Sequence, residues 1–278
     1  MKKNTSSTQQ LSIFDIVIEP PKESDFPSVS EPTKQVEPPT RTSANLCPYK
    51  IPSVAEIVKE VQRASVRAST SKLLSDVFEC GALAISNKVD FTQYEQREER
   101  YKEIMSAYSP KEREKLAEIF AKIFALLSSV VYDDGQFDDY LGNIFMQSDM
   151  GNKHAGQFFT PYHVSKLCAK MSIGEDAVVK AKSDEILTIN DPCSGSGGMM
   201  IAALDVLQND YGVNYAYNCF VECSDIDIRC VHMTYLQLSL AGVPAIVKHQ
   251  NTLTREVWSV WKTPAYLFQY LRFRKYGG

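Results

Sequence analysis

The sequence predicts an α/β fold: a Rossmann-like sheet, truncated after its third strand and preceded by a helical domain. Three observations predict it. The run Ile186–Ile189 is short, apolar and β-branched; Asn190-Asp191-Pro192 ends it, and Gly195, Gly197 and Gly198 then open a helical pattern from Met199 to Leu207. Two further strand-like runs, Asn218–Ser224 and Pro244–Lys248, flank a helical stretch over Arg229–Leu240. Upstream, apolar stripes at helical spacing recur between residues 51 and 150. The organisation expected is a tail over 1–46, a helical domain over 47–150 and a partial α/β domain over 151–278.

Composition sets bounds on function. A hydrophobic content of 44% over 278 residues is enough for a real core in one or two domains. Net charge is −4, so no broad basic field advertises nucleic-acid binding; such a function needs a local basic patch or a partner that supplies one. The seven cysteines include no Cys-x-x-Cys pair and read as reduced thiols of a cytoplasmic protein. Cys219, Cys223, Cys230 and His232 read as core residues of a strand and a helix, with no metal expected. The polar start and the lack of a long apolar run predict neither a signal peptide nor a membrane span.

Residues 1–46 are rich in Ser, Thr, Pro, Glu and Lys and predict a disordered tail. Gln10-Leu11-Ser12-Ile13-Phe14-Asp15 interrupts it. A tail has no core to justify such apolar side chains, so the island reads as a recognition segment or as one that folds back on the domain. Gln10–Phe14 resembles the bacterial sliding-clamp-binding motif. That resemblance implies a clamp as partner, with Leu11, Ile13 and Phe14 in its pocket and Gln10 hydrogen-bonding at the rim.

The helices follow from caps and periodicity. Ser53 and Glu56 form a capping box, and Val54, Ile57, Val58 and Val61 share one face. A second helix is expected over Ser71–Ile85, and the charged run Gln93–Ile104 reads as a solvated helix. Ser109-Pro110-Lys111-Glu112 starts another, whose apolar face is Leu116, Ile119, Phe120, Ile123, Phe124 and Leu127. Thr160 is expected to cap the next helix, with Val164, Leu167, Cys168 and Met171 inward and Phe158 and Phe159 before it.

The glycine turn after the first strand is a nucleotide-type site. Without side chains a ligand reaches the backbone, and the helix start offers unpaired N–H groups. The third glycine of a dinucleotide fingerprint would fall on Met200, and no P-loop is present. Asp191 beside the glycines would repel a pyrophosphate but suits the ammonium group of a methionine moiety. S-adenosylmethionine is therefore favoured over NAD or ATP.

Asp191-Pro192-Cys193-Ser194-Gly195-Ser196-Gly197-Gly198 resembles the cofactor loop of adenine-specific DNA methyltransferases, in particular the modification subunit of type I restriction systems. Gly156-Gln157-Phe158-Phe159-Thr160-Pro161 resembles that family's second cofactor motif, and Asp139-Tyr140-Leu141-Gly142 the end of its helical domain. The resemblance implies an S-adenosylmethionine-dependent sheet. Phe159, Thr160, Pro161, Asp191, Pro192, Gly195 and Gly197 hold the cofactor, Asp225 its ribose, and Asn251, where the family carries aspartate, its adenine amino group. It implies DNA as substrate, restriction-modification as context, and a specificity subunit or second methyltransferase chain as partner.

One part of the family's pattern is missing. Accepting both N–H bonds of the target adenine is the task of Asn-Pro-Pro-Tyr/Phe, and no Asn-Pro-Pro occurs here. The nearest segment is Thr263-Pro264-Ala265-Tyr266, with Thr263 and the Pro264 carbonyl as acceptors and Tyr266 as stacking ring. A non-catalytic adaptor that keeps the scaffold to bind DNA or a partner is the competing expectation. A sheet that ends after three strands also leaves the first strand's outer edge bare, so Leu267–Phe273 or a second polypeptide is expected to cover it.

Overall fold

A computed structural model of the protein describes residues 50–65, 69–132, 136–149, 158–183 and 185–275. The tail and its Gln10–Phe14 segment, Gly156 and Gln157 lie outside the described residues.

Helices come first along the described chain: α1 Val54–Ala64, α2 Thr70–Val89, α3 Tyr94–Ser106, α4 Pro110–Tyr132, α5 Tyr140–Asp149, α6 Tyr162–Ser172 and α7 Glu175–Lys182. The capping box at α1 is formed, with the Glu56 N–H donating to Ser53 Oγ at 3.3 Å and the Ser53 N–H to Glu56 Oε2 at 2.8 Å. Ile57, Val58 and Val61 are buried beneath it. Helix α4 buries Leu116, Ile119, Phe120, Ile123 and Leu127 as their spacing requires, while Phe124 stays partly exposed. Helix α3 is not merely a solvated surface. Its Arg97 is buried, donates to the Val260 carbonyl at 2.8 Å and lies 4.2 Å over the Trp261 ring. A charged run cannot reveal this, because one arginine in a polar helix looks like the others until a sheet is laid against it.

The sheet has four strands in spatial order β1 (Leu187–Asp191), β2 (Cys219–Asp225), β3 (Ala245–Asn251) and β4 (Glu256–Lys262). The first three are parallel, with Ile189 opposite Val221 and Val221 opposite Ala245. Their connections carry α8 (Gly198–Asp205), α9 (Tyr215–Asn218) and α10 (Ile228–Leu240). The fourth strand corrects the expectation that the sheet stops after three. It folds back antiparallel on β3 through a tight turn in which Arg255 takes φ 61°, pairing Asn251 with Glu256 and Ile246 with Lys262. The strand left no period-two signal because it is an edge strand, exposed along its first half with only Trp261 fully buried.

The described residues belong to one compact unit, and the helical part is packed on the sheet's own helices: α2 lies along α10. One packing expectation is overturned. The inward face of α6 is Ser165 and Ala169, with Ala169 against Ala202, Ala203 and Val206. Leu167 and Met171 point outward, 57% and 79% exposed, Val164 is partly exposed and Cys168 half-buried. Small residues let α6 approach α8 closely, so the small face won over the larger apolar one. The last segment forms α11 (Pro264–Phe268) and α12 (Tyr270–Phe273), which send Tyr266 and Phe273 against Phe220 and Ile246. It thus covers a face of β2 and β3, with Ile186 at the approach to β1 packed on the same cluster, and no strand lies beside the outer edge of β1 among the described residues.

Candidate cofactor site

The C-terminal ends of the parallel strands gather the predicted cofactor residues. After Asp191 the chain turns through Pro192–Gly197, with Gly195 at φ 56° and Gly197 at φ 93°, and enters α8 with no side chain capping its first N–H groups. Both glycines are required by position. A Cβ on Gly195 would stand 3.1 Å from the Phe159 ring, and one on Gly197 3.2 Å from Thr234 Oγ1. A cleft of about 580 Å³ opens beside this turn, lined among others by Thr160, Asp191, Cys193, Gly195 and Ser196. That size suits a nucleoside-scale ligand.

Each expected residue has a definite place. Asp191 Oδ1 accepts the Cys193 N–H at 3.1 Å, which aims the carboxylate across the mouth of the turn. Burial raises its pKa, and the nearby Asp225 charge adds to the shift. Pro192 contributes its carbonyl, which accepts Thr252 Oγ1 at 2.6 Å and Ser224 Oγ at 3.2 Å, pinning the turn to β2 and to the end of β3. Asp225 is at the tip of β2 and accepts the Gly195 N–H at 2.8 Å and the Asp227 N–H at 2.9 Å. A carboxylate has about four lone-pair sites, so two remain for a ligand. Glu222, the other carboxylate of β2, lies mid-strand in an ion pair with Lys248 at 3.0 Å.

Phe159 packs against the glycine turn and against Phe145, with centroids 5.9 Å apart. Thr160 faces the cleft but does not cap α6. The residue flanking that helix is Pro161, whose carbonyl accepts from Val164 and Ser165, and no side chain caps it. Asn251 also departs from expectation. Its Oδ1 accepts the Leu253 and Thr254 N–H groups at 3.0 and 3.3 Å, so the oxygen meant for an adenine amino group closes its own turn. Burial pushes the thiols of Cys219, on β2, and Cys80, on α2, up to about 12, while Cys193 in the turn is exposed.

The model of the N-6 DNA Methylase family matches residues 137–268. A solved type I restriction-modification system methyltransferase subunit from Streptococcus thermophilus is similar at 19% identity and a TM-score of 0.39, over 74% of this chain. The chain spans 40% of the length of that structure. No curated protein sequence matches at a significant level.

Within the matched region the residues expected to receive the target base are not at the end of the sheet that carries the glycine turn. Thr263 is fully buried: its hydroxyl donates to the Val243 carbonyl at 2.6 Å and accepts the Ala245 N–H at 2.9 Å. It also caps α11, where Pro264 takes the first position. Tyr266 is 1% exposed, and its ring meets Phe220 at 5.8 Å. The antiparallel course of β4 is the reason. It carries the chain from the end of β3 back to Ala245 at its start, a seven-residue strand or about 20 Å away. Thr263, Pro264 and Tyr266 are therefore a helix start and a core residue, not a platform for a base.

Sequence reasoning missed the residues that hold the turn. Thr234 Oγ1 donates to the Gly195 carbonyl at 3.0 Å, and Gln237 Nε2 to the Ser196 carbonyl at 2.7 Å. They stand one helical turn apart on α10, and two polar side chains at that spacing in a buried helix were the available signal.

Proposed function

We propose that this chain binds S-adenosylmethionine at the Asp191–Gly198 turn and serves adenine-specific DNA methylation of the restriction-modification type. The observation that carries the reading is the pair of left-handed glycines between an aimed Asp191 and an uncapped helix start. The bound cofactor would supply an electrophilic methyl group. Asp191 would meet its ammonium group, the uncapped N–H groups at the start of α8 its carboxylate, and Asp225 its ribose hydroxyls. Ile226 and Leu253, 63% and 95% exposed beside Asp225 and Asn251, offer apolar surface for an adenine ring.

The target-base role is not assigned to Thr263, Pro264 or Tyr266. DNA and a second polypeptide, a specificity subunit or another methyltransferase chain, are the partners this reading needs. The burial of Tyr266 gives weight to the competing reading, an adaptor that keeps the cofactor-domain scaffold without turnover. The Gln10–Phe14 segment would tether either form to a sliding clamp. A cytoplasmic setting is in keeping with the free cysteines, and no described helix is long and apolar enough to cross a membrane.

The deciding experiment incubates the chain, alone and with co-expressed subunits, with DNA and methyl-labelled S-adenosylmethionine. Label on adenine supports the enzyme, and cofactor binding without label under any combination supports the adaptor. Failure to bind cofactor in calorimetry removes the enzyme reading, and failure to bind DNA or a partner as well removes the adaptor.

A further inference from the structure

We propose that Asp139 is the positioning residue of the glycine turn, acting through Ser196 and Gln237. The inference rests on the reading of that turn as a cofactor site. Asp139 precedes α5 in the helical layer and is 2% exposed, yet three separate elements converge on its carboxyl group. Ser196 Oγ donates to Oδ2 at 2.5 Å, Gln237 Nε2 donates to Oδ1 at 2.8 Å, and the Gly142 N–H donates to Oδ1 at 3.0 Å. The same Gln237 nitrogen donates to the Ser196 carbonyl at 2.7 Å, and its Oε1 faces the Leu141 N–H at 3.4 Å. One buried carboxyl thus fastens the start of α5, the turn and α10 together.

The point of attachment matters. Ser196 stands between Gly195 and Gly197, the two left-handed residues of the turn. Fixing its side chain and its carbonyl fixes the peptide planes on both sides, and with them the direction in which the N–H groups of the turn point. Glycine itself supplies no such constraint, because it adopts either sign of φ at little cost. The carboxyl also depends on two other glycines for room. A Cβ on Gly198 would lie 2.7 Å from Oδ2, and one on Gly142 2.1 Å from it. Burial raises the Asp139 pKa, and its donors are neutral groups, so the network tolerates a carboxyl that is not fully ionised.

The test uses the full chain, with hydrogen exchange over peptides spanning 193–199 and 219–225 and calorimetry with S-adenosylhomocysteine. Asp139→Ala is expected to speed exchange of the turn at least tenfold while β2 stays protected, and to weaken binding at least tenfold. Asp139→Asn, which keeps an acceptor for Gly142 and Gln237 and can donate to Ser196, is expected to recover most of both losses. Ser196→Ala added to Asp139→Ala should cost less than it does alone. Unchanged exchange of the turn, or full additivity of the two variants, overturns the proposal. Where Asp139→Ala does not fold, Ser196→Ala decides on its own: wild-type exchange at 193–199 refutes the latch. A wild-type chain that fails to bind S-adenosylhomocysteine removes the cofactor reading, and the exchange data still decide whether Asp139 holds the turn.

Discussion

Two strand-to-helix turns of this domain contain proline and small polar residues, and they end up as opposites. The turn from β1 into α8 has glycine at the helix start, leaves the first N–H groups uncapped and opens on a cleft. The turn from β4 into α11 has Thr263 at the helix start, whose hydroxyl bonds the Tyr266 N–H and the backbone of β3, leaving nothing for a ligand. The first lies at the C-terminal ends of the parallel strands. The second is carried to their beginnings by the antiparallel β4. The difference teaches that such a turn binds a ligand only where its backbone is left unsatisfied at the open end of the sheet, and that strand direction decides which end it reaches.

Variants at the two turns test that contrast. The largest effect is expected from Tyr266→Ala, which removes a buried ring beside Phe220 and should cost about 3–5 kcal/mol of folding stability in denaturant unfolding. Cofactor affinity of the folded fraction should be unchanged; a loss of affinity without a loss of stability would restore the ring to a ligand role. Asp191→Ala should do the reverse, weakening S-adenosylhomocysteine binding about tenfold to hundredfold for a lost charge-assisted contact, with little change in unfolding midpoint. Wild-type affinity in calorimetry would break the comparison.

Thr263→Ala removes the cap of α11 and leaves the Ala245 N–H without its partner, an expected cost of about 2 kcal/mol seen as a lower midpoint, again with binding intact.

The raised pKa of Asp191 gives a smaller, signed effect. Binding needs the carboxylate, so affinity should fall as pH is lowered through the raised value, and Asp191→Asn should flatten the profile. Stability runs the other way. With the folded pKa above the unfolded one, the contribution of neutral Asp191 is full below the unfolded value and is lost as pH rises through the folded one. A profile for Asp191→Asn that still falls toward acid would assign the titration elsewhere. The smallest effect is expected at Leu167→Glu, on the outward face of α6, within about 0.5 kcal/mol of wild type. A marked loss of stability there would mean that the face is covered.

The glycine turn was legible because its geometry is local. Asp191, Gly195 and Gly197 are constrained by the backbone path of a few consecutive residues, and that path is written in their order. The caps at Ser53 and the parallel course of β1, β2 and β3 were legible for the same reason, being set by short-range patterns. The inward face of α6 was not, since it presents two plausible faces and only the alanines of α8 choose between them. Asn251 looked like a ligand contact and proved to be a turn residue, because one carboxamide serves either purpose and the reversal into β4 claimed its oxygen.

By itself the sequence determined where strands give way to helices and where glycine leaves the main chain bare after β1, since glycine, proline and hydrophobic period act over a few residues. Tertiary structure alone decided that β4 turns back, that Tyr266 is sealed inside, and that Asp139 reaches a turn more than fifty positions away. Those outcomes depend on which surfaces meet, and a linear pattern carries no record of a contact made across the fold.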